Sequence, residues 1–400
     1  MSLASLARLA PLALLLAVAG CDTSDGPTLF DPDRQTAPDP TVTSVSPAGS
    51  ALAGIDEVTI TGTNFSATAS DNLVFFDDAA AEILSASPTE LRVKVPNTPA
   101  ENLAMRVSVR SAANYSTPLA YTLVPAVVEF GELANSETPF GITTDPTGNL
   151  YLSINSDGTR SITRIAADGT RSPFFSTTFE FPGLSFGPDG ALYGVRGVFA
   201  AFRLPEAGTQ ETFGVISDGR PLLTTIDTDA NGNLYVGGNN ATGTNSIYRI
   251  ASDKSVTAYA LPGNVRALTV FDGAVYAAVT LDGVSQVFRL AADASGDLGA
   301  PTSYVNMTAL AGAEATALAF AASGDLYVGT DALMDPVYLV RPDGSGEVLY
   351  PGVLTGPTSH LAYGPGSFLY MRTADVLNAE NAVIQPAGLF RIETRQDGAR

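Results

Sequence analysis

The feature that most limits how this chain can fold is a short phrase that it repeats. Its first full copy is Pro139-Phe140-Gly141-Ile142-Thr143-Thr144-Asp145-Pro146-Thr147-Gly148-Asn149-Leu150-Tyr151-Leu152. An apolar segment runs into an Asp-Pro/Gly-Asn turn and returns as Leu-Tyr-apolar, the pattern of a β-hairpin. The phrase comes back around Tyr193, Tyr235, Tyr276, Tyr327 and Tyr370. A spacing of about 40–50 residues is that of propeller blades and similar arrays, in which no unit can bury its own faces and each must stack on its neighbours. A third apolar segment follows every copy, as in Ile247-Tyr248-Arg249-Ile250, and a fourth follows the first five.

The sixth copy stops after Ile392, leaving a polar tail and an open edge. Open edges invite aggregation, so the missing strand must come from elsewhere. Val127-Val128-Glu129-Phe130 lies just ahead of the first copy and has the right length. We expect it to pair with 389–392 and to close six four-stranded sheets into a six-bladed β-propeller. Within each copy the Leu and the Tyr that follows it face opposite sides of a strand, so one row packs forward and the other backward between blades.

Composition agrees with an all-β class. Gly 38 and Pro 26 punctuate many short apolar runs, and 45 % hydrophobic residues supply a large core. The net charge is −20, with only two lysines, Lys94 and Lys254, and no basic run. That excludes nucleic acid as a partner, because neutralising phosphates takes clustered Lys and Arg. The acidity reads as solubility, or as adaptation to a salty medium, rather than as recruitment of cations.

Residues 1–20 carry one positive charge, Arg8, and an apolar run over 9–18 too short to span a bilayer comfortably. They read as an export signal. The segment ends Val18-Ala19-Gly20-Cys21, which resembles the lipobox of bacterial lipoproteins. The resemblance implies lipidation of Cys21, a membrane anchor and a place in the bacterial cell envelope, periplasmic or surface-exposed. Cys21 is the sole cysteine, so it serves no internal disulfide. Residues 21–40 are rich in Asp and Pro without apolar period, and are expected to form an extended, disordered tether.

Residues 41–123 form a separate unit, with strands expected at 41–46, 57–61, 72–76, 81–85, 90–95, 104–111 and 119–123. That density suggests an Ig-like sandwich. Ser44-Val45-Ser46-Pro47-Ala48-Gly49 and Val58-Thr59-Ile60-Thr61-Gly62-Thr63-Asn64-Phe65 resemble the opening of an IPT/TIG domain, and Leu73-Val74-Phe75-Phe76 continues the likeness. Ile55-Asp56 departs from it, since the family usually has glycines there. The resemblance implies a spacer or interaction module without chemistry of its own. Residues 124–400 resemble the NHL and gluconolactonase-like (SMP-30) propellers, carried by Pro139-Phe140-Gly141-Ile142, Asp145 and Gly148-Asn149-Leu150-Tyr151, and by Asp227 with Gly232-Asn233-Leu234-Tyr235. This implies a fold far more firmly than an activity.

A propeller's site lies at the mouth of its channel. The gluconolactonase-like enzymes place metal-binding Glu, Asn and Asp just before certain inner strands. Here those positions are Phe140, Pro182, Thr224, Arg266, Thr316 and Ser359, none a carboxylate. The hard oxygen ligands of a divalent cation are therefore missing there, with Glu137 and Glu314 out of register. His360, the sole histidine, stands where the other repeats have small residues. It is either packing for the closing blade or a general base in the channel, as in propeller lyases resembling virginiamycin B lyase. Asp227-Thr228-Asp229-Ala230-Asn231-Gly232-Asn233 resembles the front half of an EF-hand loop, making Asp227, Asp229 and Asn231 candidate calcium ligands, although Gly238 stands where that loop needs Glu. No other cofactor is implied. Asn240-Ala241-Thr242 and Asn306-Met307-Thr308 match glycosylation sequons and read as loop polarity. Arg196, Arg220, Arg266 and Arg372 fall near one end of the blades and are candidates for a ring around that mouth.

Two classes of function follow, beside a third reading in which the propeller is a structural spacer with no specific ligand. One is a lipid-anchored envelope protein whose propeller binds protein or glycan, with His360, Arg266, Phe140 and Thr316 as candidate channel residues. The other is a channel enzyme, a lyase or metal-dependent hydrolase or lactonase, using His360.

Overall fold

The computed structural model describes residues 36–110, 112–206, 209–239 and 245–399. The expected export signal, Cys21, most of the tether and the first sequon lie outside the described residues. The chain divides into two compact units, the first built mainly from Glu57–Pro96 and Asn102–Tyr121, the second from Thr122 onward.

Residues 41–124 build a two-sheet sandwich. One sheet orders Thr41–Ser46, Glu57–Thr63, Glu90–Lys94 and Glu82–Ser87; the other orders Ser50–Leu52, Leu119–Val124, Ala100–Val109, Asn72–Phe76 and Ala79–Ala80. The seven expected strands are present, with ends shifted by a few residues. Ser50–Leu52 and Ala79–Ala80 are additional. Period-two patterning decides what is inside: Val58, Ile60, Leu91, Val93, Met105 and Val107 are fully buried between the sheets. Tyr121 joins them, its ring 5.8 Å from Phe76 and its hydroxyl donating to Pro47 O at 2.8 Å, which satisfies the one polar atom it buries.

The second unit is six four-stranded antiparallel sheets. The innermost strands, one per blade, are Glu137–Thr144, Gly183–Phe186, Leu222–Thr228, Asn264–Phe271, Ala315–Phe320 and Thr358–Tyr363. The sixth blade takes its outer strand from Val127–Glu129, with Val127 opposite Ile392, Val128 opposite Arg391 and Glu129 opposite Phe390. This is the expected closure: the edge left by the last repeat is covered by the strand that precedes the first. Two features were not legible in the repeat. A short helix, Met307–Ala311, follows blade four, and Asn306 caps it by accepting Ala309 N–H at 2.9 Å. A small hairpin, Val376–Leu377 with Val383–Gln385, interrupts blade six.

The Leu and Tyr rows pack as expected. Leu150 shares a core with Tyr370 of blade six, while Tyr151 shares one with Leu192 of blade two. Tyr193 then meets Leu234, Tyr235 meets Val275, Tyr276 meets Leu326, and Tyr327 meets Leu369. Each blade's aliphatic residue is thus buried backward and its tyrosine forward, all the way round the ring. The turn between the first two strands is stapled by the repeated Asp. Asp145 accepts Thr147 N–H at 2.9 Å, Asn149 N–H at 3.0 Å and the Tyr151 hydroxyl at 3.1 Å. Burial alone would raise this carboxyl, but the donors from Asn149, Thr147 and Tyr151 outweigh it and hold it below its ordinary value. Burial, then the adjacent carboxylate, pushes Tyr151 up to about 12.

Candidate functional site

The inner strands enclose a channel with a cavity at each end. The lower one, of about 590 Å³, lies at the turns that join inner and second strands. Five aspartates line it (Asp145, Asp227, Asp229, Asp272 and Asp293) and no arginine or lysine. Four of these carboxylates, those of Asp145, Asp227, Asp229 and Asp293, are committed within the protein. Asp229 repeats the staple, accepting Asn231 N–H at 2.9 Å and Asn233 N–H at 2.8 Å on one oxygen and Asn233 Nδ2 at 2.7 Å on the other. Asp227 turns away into the channel wall. It accepts Ser185 Oγ at 2.9 Å, Thr228 N–H at 2.8 Å, Thr269 Oγ1 at 3.1 Å and Val270 N–H at 2.7 Å, and so brackets blades two, three and four. The carboxyl is part-buried in this wall, and desolvation raises it above the ordinary value despite the four donors. The three candidate calcium residues therefore do not converge: the Asp227 and Asp229 oxygens serve separate donor sets, and Asn231 contributes its backbone N–H to the turn. Among the described residues no group of three or more His, Cys, Asp or Glu side chains is placed to hold a metal ion.

The upper cavity, of about 400 Å³, lies at the other end. Here the structure corrects a boundary. Phe140, Thr224, Arg266, Thr316 and Ser359 do not precede their strands; they lie inside them, at β-bulges. Leu223 faces Gly238 and Thr225 faces Gly237, leaving Thr224 unopposed. Arg266, Thr316 and Ser359 are the extra residues of the same kind in blades four, five and six, and Phe140 with Gly141 makes the equivalent irregularity in blade one. Blade two lacks a bulge because its inner strand begins at Gly183, after Pro182. A bulge re-aims its extra residue out of the ladder. Thr224, Arg266, Thr316 and Ser359 accordingly line the upper cavity, joined by Asn239, Asn264 and Asp331. Phe140 is not part of its wall. Thr316 spends its hydroxyl on Thr358 O at 2.5 Å, tying blade five to blade six.

His360 follows the last bulge. Its Nε2 lies 2.6 Å from Pro182 O, across blade one to blade two, and its Nδ1 lies 3.2 Å from Ser359 Oγ. A carbonyl only accepts, so Nε2 carries the proton and Nδ1 is the lone-pair nitrogen. Gly141 makes this reach workable: a Cβ there would meet Phe181 O at 2.6 Å and Pro182 O at 2.8 Å. Burial, then the Arg372 charge, lower His360 to about 4, so it is neutral at physiological pH. Its cross-strand neighbour is Arg372, not a carboxylate.

Three of the four arginines named from the sequence have no ion pair among the described residues. Arg196 lies flat over Phe179, at 3.5 Å, and Arg220 over Phe199, at 4.1 Å. Arg372 donates from Nη1 to Ser359 Oγ at 2.7 Å. Arg266 comes within 3.9 Å of Glu314, and Glu137 is taken by Arg171 in a bidentate pair. Sequence reasoning missed Asn239, Asn264 and Asp331, which no repeat position marks.

Residues 40–123 match the family model of the IPT/TIG domain, and that segment is an IPT/TIG domain. No curated protein sequence matches the chain. Many solved structures share its fold. A putative gluconolactonase aligns with TM-score 0.53 at 18% identity, over 68% of this chain and 93% of its own. A calcium-binding protein, regucalcin from Agrobacterium tumefaciens, aligns with TM-score 0.53 at 17% identity, over 66% and 92%. An auxiliary nutrient binding protein from Bacteroides thetaiotaomicron aligns with TM-score 0.52 at 11% identity, over 91% and 98%. At these identities the likeness concerns the fold.

Proposed function

We propose that this chain is a lipid-anchored cell-envelope binding protein, held to a membrane through Cys21, whose propeller takes a glycan ligand at its upper mouth. The observation that carries the binding reading is the lining of the upper cavity. Hydroxyls and one guanidinium stand at a ring of bulges, with two amides, one carboxylate and an apolar patch of Leu222, Val265, Pro357 and Ala374 beside them, a mixed polar and apolar lining of the kind that takes a sugar. That a nutrient binding protein shares the fold over nearly its whole length supports a binding role for such a scaffold. The lipobox-like Val18-Ala19-Gly20-Cys21 supports the anchor. The enzyme reading loses support because His360 is spent: one ring nitrogen bonds a backbone carbonyl, and a base lowered to about 4 is weak.

Two measurements test this. Labelled palmitate should enter the wild-type chain in cells and not a Cys21→Ala variant, which should leave the membrane fraction; equal labelling would overturn the anchor. A glycan panel probed with the full chain should show saturable binding that Arg266→Gln weakens. A silent panel, with a purified envelope protein bound instead, would replace glycan by protein.

A further inference from the structure

The two guanidiniums nearest the upper cavity are under-partnered. Arg266 is 40 % exposed and its nearest carboxylate oxygen, on Glu314, is 3.9 Å away, at the edge of ion-pair range. Arg372 sits behind Ser359, which lines the cavity and accepts its Nη1. Its Nε is buried without a hydrogen-bond partner, and no carboxylate among the described residues is within ion-pair distance. Asp375 acts on it only through its charge, and burial lowers it to about 10. A guanidinium buried without a counter-ion is unfavourable, and an incoming anion would relieve it. Asp331 is the one carboxylate in the wall, and one of its oxygens already accepts Glu314 N–H at 2.9 Å. The rest of the wall is uncharged: Thr224, Asn239 and Asn264 offer groups suited to hydroxyls, beside apolar Leu222, Val265, Pro357 and Ala374.

We propose that the upper mouth binds a sugar that bears a carboxylate, a hexuronate unit of a glycan. Its carboxylate lies between Arg266 and the Ser359–Arg372 pair, and its hydroxyls meet Asn239, Asn264 and Asp331. This rests on the propeller being a glycan-binding unit and names the ligand class. Placing both charges on one ligand explains why a strongly acidic protein keeps arginines with unmet donors at this end of its channel.

The test is calorimetric titration of the full chain with trimers of galacturonate, glucuronate and mannuronate, and with the matching neutral hexose trimers. At least one uronate trimer should bind tenfold or more tightly than its neutral counterpart, and higher salt should weaken it. Arg266→Gln should lose tenfold or more of that affinity, Arg266→Lys should recover part of it, and Ser359→Ala should lose several-fold. Arg266 is part-exposed, so these variants keep the fold even where Arg372→Gln does not. Neutral trimers binding as tightly as uronates would overturn the proposal and leave the glycan reading standing. Uronate binding unchanged in both Arg266→Gln and Ser359→Ala would place the ligand elsewhere and overturn it. Binding of neither kind of trimer would overturn the proposal, and a silent glycan panel beside it would take the glycan reading too.

Discussion

The two ends of the channel are made from the same six strands and are opposite in character. The lower end is written by the repeat. Of its five aspartates, Asp145, Asp227, Asp229 and Asp293 take their donors within the chain, so the end is acidic and largely closed chemically. The upper end is written by the positions where the repeat fails. Thr224, Arg266, Thr316 and Ser359 share a bulge and little else, and Arg372 behind them keeps a buried Nε without a partner. A repeated residue has six copies of the same structural task. A residue that differs from blade to blade at a position aimed into the cavity has been released from that task, which is where recognition can be placed.

Both ends exist only while the ring is closed, so the largest effect should come from the closure. Phe130 is 5 % exposed and its ring centre lies 5.1 Å from that of Tyr370. Phe130→Ala should cost about 3–5 kcal/mol in denaturant unfolding, the range for an aromatic truncated in a core. A loss under 1 kcal/mol would mean the ring tolerates an open blade. Next comes the lower end. Asp227→Ala strips the acceptor from two hydroxyls and two backbone N–H groups, and should cost about 2–3 kcal/mol by leaving buried donors unmet. If that variant unfolds like the parent but changes ligand affinity, the division of labour between the ends is wrong.

The ends should also titrate with opposite sign. His360 is lowered in the fold from 6.5 to about 4. Its contribution is therefore present above pH 6.5 and is lost as pH falls toward 4. The His360→Gln variant should show a flatter acid limb of melting temperature against pH, the parent losing about 1–2 kcal/mol more by pH 5. Asp227 is raised, so its contribution is greatest in acid and declines as pH rises through its folded value; Asp227→Asn should remove that opposing slope. Parallel profiles for parent and either variant would show that the group does not report on folding. The smallest effect belongs to Arg266→Gln, within about 0.5 kcal/mol of the parent in stability, as for a part-exposed side chain with one long ion pair. A larger loss would make the upper ring structural and weaken the contrast.

Most of the architecture was readable because its causes are local or periodic. The Asp-to-Tyr phrase specifies a turn through bonds within seven residues, Asp145 to Tyr151. The alternating Leu and Tyr specify which face each blade offers its neighbour. A repeat lacking its last strand specifies that some other strand must close it. The helix at Met307–Ala311 and the hairpin at Val376–Gln385 escaped because they interrupt the period instead of continuing it. The upper site was half readable. Its positions could be found by aligning the blades, and they read as strand starts because a single unpaired residue leaves no mark in composition.

The sandwich, the number of blades, the closure and four of the residues at the upper mouth, Thr224, Arg266, Thr316 and Ser359, were legible in the sequence alone. Only the tertiary structure decided what that ring does. Whether Asp227 faces a ligand or brackets three blades, and whether His360 is a base or a strut to Pro182, depend on groups 42 to 178 residues away in the chain. Ladder pairing and turn chemistry act between neighbours and leave a pattern that can be read. Desolvation and hydrogen-bond saturation belong to whatever the fold brings close, and no local pattern records them.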